Sequence, residues 1–158
     1  MGKLDRKKKT AIVMIAIWVA VIWGHSMMSS DSSSMESNAF EQFLNRVWAF
    51  LGGHGEVSGH LIRKAGHFTE FAILGALSAR LLRTFDRLRA FFMSYAFFCG
   101  VSVAVVDETI QIFSEGRGPA VTDVLIDSGG MATGILLFFA VFAIRRAIRK
   151  KKEAEGLA

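Results

Sequence analysis

Four stretches of the chain are apolar over enough residues to cross a bilayer, and polar or glycine-rich segments divide them. They run at about Thr10–Met28, Leu61–Leu82, Ala90–Phe113 and Val121–Ile144. A spanning helix needs about 20 mostly apolar residues, so each stretch is predicted as a transmembrane helix. The first is the shortest. Its apolar run, residues 11–24, follows the basic stretch Lys3–Lys9, which is also the arrangement of a signal peptide. No A-x-A cleavage site follows, so the segment is read as a retained helix, with cleavage as the alternative.

The intervening segments carry their own signals. Ser29–Ser37 is a serine-rich loop, after which Phe40, Phe43, Leu44, Val47, Trp48 and Leu51 recur at helical spacing. Asn38 with Glu41 three residues on resembles a capping box. Twelve residues cannot span, so this segment is predicted to lie on the outer membrane surface as an amphipathic helix; folding back over the bundle is the alternative. Gly52, Gly53, Gly55 and Gly59 form a connector, and Gly116-Arg117-Gly118-Pro119 a tight turn, because Pro cannot continue a helix and Gly allows positive φ. Gly130 with Gly134, and Ala72 with Ala76, are small-xxx-small pairs that allow close helix approach in lipid.

Charge orients these helices. Of 19 Lys and Arg residues, 15 lie in three clusters beside the apolar runs: Lys3–Lys9, Arg80–Arg89 and Arg145–Lys152. Only four of the 14 acids lie in those clusters or just beyond the last, Asp5, Asp86, Glu153 and Glu155; the other ten face four bases in the rest of the chain. Basic loops stay in the cytoplasm, so the chain is predicted to run out, in, out, in. The expected fold is all-α: a polytopic membrane protein of four transmembrane helices, both termini cytoplasmic, with an extracytoplasmic amphipathic segment between helices 1 and 2. Residues 1–9 form a basic cytoplasmic N-terminus, 10–144 the membrane domain and 145–158 a basic cytoplasmic tail. At 158 residues this is one domain, and 52% apolar content excludes a disordered chain. The net charge of +5 does not point to nucleic acid, because its distribution follows topology. The lone Cys99 cannot form an internal disulfide and reads as a small apolar residue. Trp18, Trp23 and Trp48 read as interfacial anchors.

This topology gathers ionisable residues at the outer half of the bundle. Arg63, His67 and Glu70 fall within about 60° on one helix; Asp107, Glu108 and Gln111 subtend about 100° of the next; Asp123 and Asp127 sit one turn apart on the last. Carboxylates facing lipid singly would cost about 2.5–3.5 kcal/mol each near the bilayer centre, so they are expected to face inward and share partners. Arg63, Lys64 and Arg117 stand against Glu70, Asp107, Glu108, Asp123 and Asp127, a deficit of two positive charges. A divalent cation, protons on one or two acids, or a charged His67 would meet it. His67, Glu70, Asp107 and Glu108 are the candidate catalytic groups, with His67 as acid/base, proton carrier or metal ligand. Arg63, Lys64, Gln111 and Arg117 are the candidate ligand-binding groups, the cations suited to a phosphate or carboxylate. Asp107, Glu108, Asp123 and Asp127 are the candidate metal ligands, with oxygens suited to Mg²⁺, Mn²⁺ or Ca²⁺. The bland reading is a salt-bridge network holding the helices together.

Three blocks in order, R-K-x-x-H-F-x-E-F-x-I-L-G from Arg63, D-E-x-x-Q-x-F-x-x-G-R from Asp107 and D-x-x-x-D-x-x-G from Asp123, resemble the VanZ-like family over roughly Trp23–Leu137. By that resemblance the family's signature positions are Lys64, His67, Glu70, Asp107, Glu108, Gln111, Arg117, Asp123 and Asp127. Phe71 stands where many members have Tyr, and Asp127 where many have Asn. The resemblance implies a small multi-pass protein of the bacterial cytoplasmic membrane, in a family named for a member linked to teicoplanin resistance. It supplies no reaction. The expected partner is a membrane lipid or lipid-linked envelope precursor, held at an outer-leaflet site, and not nucleic acid. A non-catalytic scaffold with a structural polar cluster is the alternative; an ion pathway would require a homo-oligomer, since four helices enclose little aqueous space.

Overall fold

Each apolar stretch forms one helix in the computed structural model, which describes residues 6–27, 42, 45–50, 52, 58–85, 89–114 and 119–155. These helices are α1 (Arg6–Ser26), α2 (Gly59–Leu82), α3 (Arg89–Gln111) and α4 (Val121–Ala154). The fold is all-α. Residues 45–50 are helical and close at Gly52, whose φ of +83° suits the left-handed turn after a helix and whose N–H donates to the Ala49 carbonyl. The rest of the expected amphipathic segment, its capping box and the serine-rich loop lie outside the described residues.

Helix ends follow local chemistry. Ser58 caps α2, its hydroxyl accepting from the Leu61 N–H at 3.3 Å. α4 runs past the expected boundary at Ile144 to Ala154, because Arg, Lys, Ala and Glu are good helix formers. Arg149–Glu153 and Lys151–Glu155 add i,i+4 pairs at 3.3 and 3.7 Å. The basic stretch from 145 is therefore a helical extension of the last span.

Cross-helix contacts fix the directions. The Lys8 ammonium lies 4.6 Å over the Phe85 ring and the Trp18 indole donates to the Glu70 carbonyl at 2.9 Å, so α1 and α2 are antiparallel. The Ser114 hydroxyl donates to the Ser26 carbonyl at 2.7 Å, joining the C-terminal ends of α1 and α3, which run parallel. Lys64 pairs with Asp123, and Gly130 and Gly134 lie on Phe68 and Ala72, so α2 and α4 are parallel. The result is an up-down-up-down bundle. α2 touches all three other helices and packs most extensively on α4; α1 and α4 do not meet among the described residues.

The core holds Ile22, Phe71, Leu74, Ala79, Ala104, Met131 and Ile135. Outside it, Ile17, Val21, Phe98, Val105, Leu136, Leu137 and Ile144 are exposed, an apolar girdle that a water-soluble protein would not carry. α1, Met93–Gln111 of α3 and α4 are long and apolar enough to cross a membrane. α2 has the length, at 24 residues, but Arg63, Lys64, Glu70 and Arg80 keep it below that apolar threshold. Trp18 and Trp23 turn inward, donating to the Glu70 and Val103 carbonyls; they pin α1 to the bundle, where anchoring at the interface was expected.

A buried polar cluster at one end of the bundle

Glycines set how closely the site's helices approach. A Cβ on Gly130 would meet the Phe68 carbonyl oxygen, with the carbonyl carbon at 3.1 Å; on Gly134 it would meet the Ala72 carbonyl oxygen, with its carbon at 2.6 Å. On the facing helix, a Cβ on Gly75 would meet the Met131 carbonyl oxygen. α2 and α4 thus touch backbone to backbone, as the small-xxx-small pattern of α4 predicts. Asp127 lies three residues before Gly130 and so on much the same face, which carries it to the level of His67.

Three side chains converge there. His67 Nδ1 lies 3.7 Å from Asp107 Oδ2 and 3.7 Å from Asp127 Oδ1, and one ligand atom from each residue falls within 4.8 Å of the others. Both carboxylates have no accessible surface, while the His67 side chain is 12% exposed. Asp107 Oδ2 accepts from Gln111 Nε2 at 3.3 Å. Asp107 Oδ1 and both Asp127 oxygens have no hydrogen-bond donor among the described residues. Buried carboxylate oxygens are ordinarily satisfied, and leaving one without a donor costs about 1–3 kcal/mol or more.

The surrounding acids are satisfied. Glu108 accepts from Gln111 Nε2 at 3.0 Å and from the Ala120 N–H at 2.8 Å. It thereby caps α4 from the end of α3, where Ala120 has no capping side chain of its own. Asp123 pairs with Lys64 at 3.0 Å, one turn nearer the bundle end. Glu70 meets His25 Nδ1 at 2.8 Å.

Of the residues singled out by sequence, His67, Asp107, Gln111 and Asp127 form the buried centre. Glu108 is buried beside them in the α3–α4 joint, and Lys64 and Asp123 pair near the mouth. Glu70 reaches α1, Arg63 is exposed, and Arg117 lies outside the described residues. Sequence reasoning missed His25, Ser26 and Ser114 as partners. The signal for His25 was its position as an ionisable residue inside an apolar run.

An imidazole and two carboxylates meeting out of water can hold a cation or relay a proton. Several long apolar helices around such a cluster define a small multi-pass helical membrane protein. The chain belongs to the VanZ/LLP1 family, whose profile matches residues 11–143. No curated protein and no solved structure matches the chain.

Proposed function

We propose that this VanZ/LLP1 protein crosses the bacterial cytoplasmic membrane four times, with both termini inside. Near the outer leaflet its polar cluster binds the anionic head of a lipid or lipid-linked envelope precursor, and through it affects glycopeptide susceptibility. One observation carries the reading: among the described residues, the buried acids Asp107 and Asp127 have oxygens without donors, just below the cations Lys64 and Arg63 at the end opposite the basic clusters. A bundle that needed polar groups only for cohesion would pair them, as it pairs Glu108. The crossing of α2 is supported by its enclosure, since three neighbouring helices pack against it and leave Lys64, His67 and Glu70 only part-exposed. Arg63 and Lys64 supply the anion contact; Arg117, grouped with them on sequence grounds, lies outside the described residues. His67, Asp107 and Glu70 are the groups available for proton movement in any hydrolysis or transfer at the bound head.

The satisfied pairs Lys64–Asp123 and His25–Glu70, with the Glu108 joint, favour a second reading in which the cluster is structural and the protein acts through envelope partners. Native mass spectrometry of the full chain in mild detergent separates the two. Anionic phospholipid or undecaprenyl phosphate bound to the wild type, and lost from Arg63→Ala/Lys64→Ala at unchanged folding, supports the binding site. A wild type empty of both after incubation with them overturns it.

A further inference from the structure

We propose that His67, Asp107 and Asp127 bind a first-row transition-metal dication of the Zn²⁺ type, leaving a coordination position open toward the mouth of the bundle. Zinc–nitrogen and zinc–oxygen bonds are about 2.0–2.2 Å. Ligand atoms tetrahedrally placed around one ion are then about 3.4 Å apart, and about 4.3 Å if opposed. The two His67–carboxylate separations of 3.7 Å lie inside that range, and the 4.8 Å bound on all three atoms leaves less than about 1 Å for the third pair to close.

The independent observation is Asp127. It is wholly buried, it is aimed at His67, and neither of its oxygens has a hydrogen-bond donor among the described residues. Two buried carboxylates also present a charge that one dication would neutralise, so binding removes the largest electrostatic cost of placing this cluster inside a membrane bundle.

The donor set selects the ion. An imidazole nitrogen disfavours Mg²⁺ and Ca²⁺, which prefer all-oxygen shells, and suits zinc and its neighbours. Glu108 and Asp123, grouped with the ligands on sequence grounds, are occupied by the Ala120 N–H with Gln111 and by Lys64. Gln111 takes the outer-shell role, its amide fixing Asp107 Oδ2. Three protein ligands leave room for a fourth, as in open zinc sites, and the partial exposure of His67 gives that position its access. A phosphate oxygen of the proposed lipid head would fit it, so the inference deepens that reading; Zn²⁺ alone is the probe below, and absence of lipid binding would leave this result untouched.

The test uses the full chain in detergent, stripped with chelator and titrated with Zn²⁺ and with Co²⁺ as a spectroscopic stand-in. The wild type is expected to bind one equivalent, to melt several degrees higher with metal, and to show a Co²⁺ d–d band of a four- or five-coordinate nitrogen/oxygen site. Asp127→Asn and Asp107→Asn should weaken binding about tenfold or more, whereas Asp123→Asn should stay within about threefold. A His25→Gln/His54→Gln/His60→Gln variant keeps His67 as the chain's one remaining histidine and leaves the cluster intact. It should retain stoichiometric metal and nitrogen coupling to a bound paramagnetic ion even if the aspartate variants fail to fold. No stoichiometric metal on the folded wild type, loss of nitrogen coupling in the triple variant, or wild-type affinity in folded Asp127→Asn each overturns the proposal.

Discussion

Replacing Gly134 by Ala tests whether backbone contact between α2 and α4 holds the bundle. The new Cβ would stand 2.6 Å from the Ala72 carbonyl carbon and 2.9 Å from its Cα, whereas carbon atoms settle at about 3.5–4.0 Å. The obstruction is backbone on the central helix, so no rotamer change relieves it and the helices must part by about 1 Å. A gap of 0.5–1 Å already forfeits about a quarter to a half of each contact's attraction, and overpacking of this kind costs about 1–3 kcal/mol. Against this, Ala gains up to about 1 kcal/mol of helix propensity over Gly. A net loss of about 1–2 kcal/mol is therefore expected. Gly24→Ala supplies the control: a Cβ there meets nothing within 4 Å among the described residues, so only the propensity gain operates and the variant should match or exceed the wild type. Thermal denaturation in one detergent, followed by the loss of monodisperse protein, ranks the three. If Gly134→Ala equals Gly24→Ala, the close approach of α2 and α4 is wrong.

Trp18→Phe removes the donor to the Glu70 carbonyl and should cost about 1 kcal/mol, read as a lower melting temperature in the same assay. Glu108→Ala strips the Ala120 N–H and the Gln111 amide of a shared acceptor; a loss of about 1–3 kcal/mol is expected, with hydrogen exchange speeding up first at the α4 N-terminus. Lys64→Asp should destabilise by leaving two acids together, and Lys64→Asp/Asp123→Lys should recover most of it, a double-mutant cycle that fails if the 3.0 Å pair is absent. In a Cys99→Ala background, Ser58→Cys should react with a membrane-impermeant maleimide from outside and Thr84→Cys only after permeabilisation; the reverse pattern would invert the proposed orientation.

The approximate limits of the four long helices among the described residues were legible because a long apolar run has few other uses. The glycine seam was legible too, since Gly130 and Gly134 repeat at one helical face. What could not be read was which acids share a level. Asp123 and Asp127 lie on one face, yet about 6 Å apart along the axis, and only the second reaches His67. Grouping Asp107, Glu108, Asp123 and Asp127 as ligands treated four acids as equivalent. Packing sorts them: Glu108 bridges to the start of α4, Asp123 takes Lys64, and His67 replaces both beside the remaining pair. The inward turn of Trp18 and Trp23 was hidden for the same reason, because periodicity along α1 does not say which neighbour it meets.

That sorting explains the place of α2. It is the least suited of α1 to α4 to face lipid, yet with α3 it is one of the two in contact with all the others and has the most extensive contact of any pair, with α4. A helix bearing Arg63, Lys64, His67 and Glu70 needs polar partners, and every neighbour supplies at least one: α1 brings His25 to Glu70, α3 brings Asp107 to His67, and α4 brings Asp123 to Lys64 and Asp127 to His67. Cohesion alone would be served by closing every pair at hydrogen-bond distance, as the His25–Glu70 and Lys64–Asp123 pairs do. The exception is the His67–Asp107–Asp127 centre, where 3.7 Å separations, and oxygens without donors among the described residues, coincide with complete burial of both acids. Apolar side chains of similar size would pack that space at lower cost, which is the reason for proposing a ligand there.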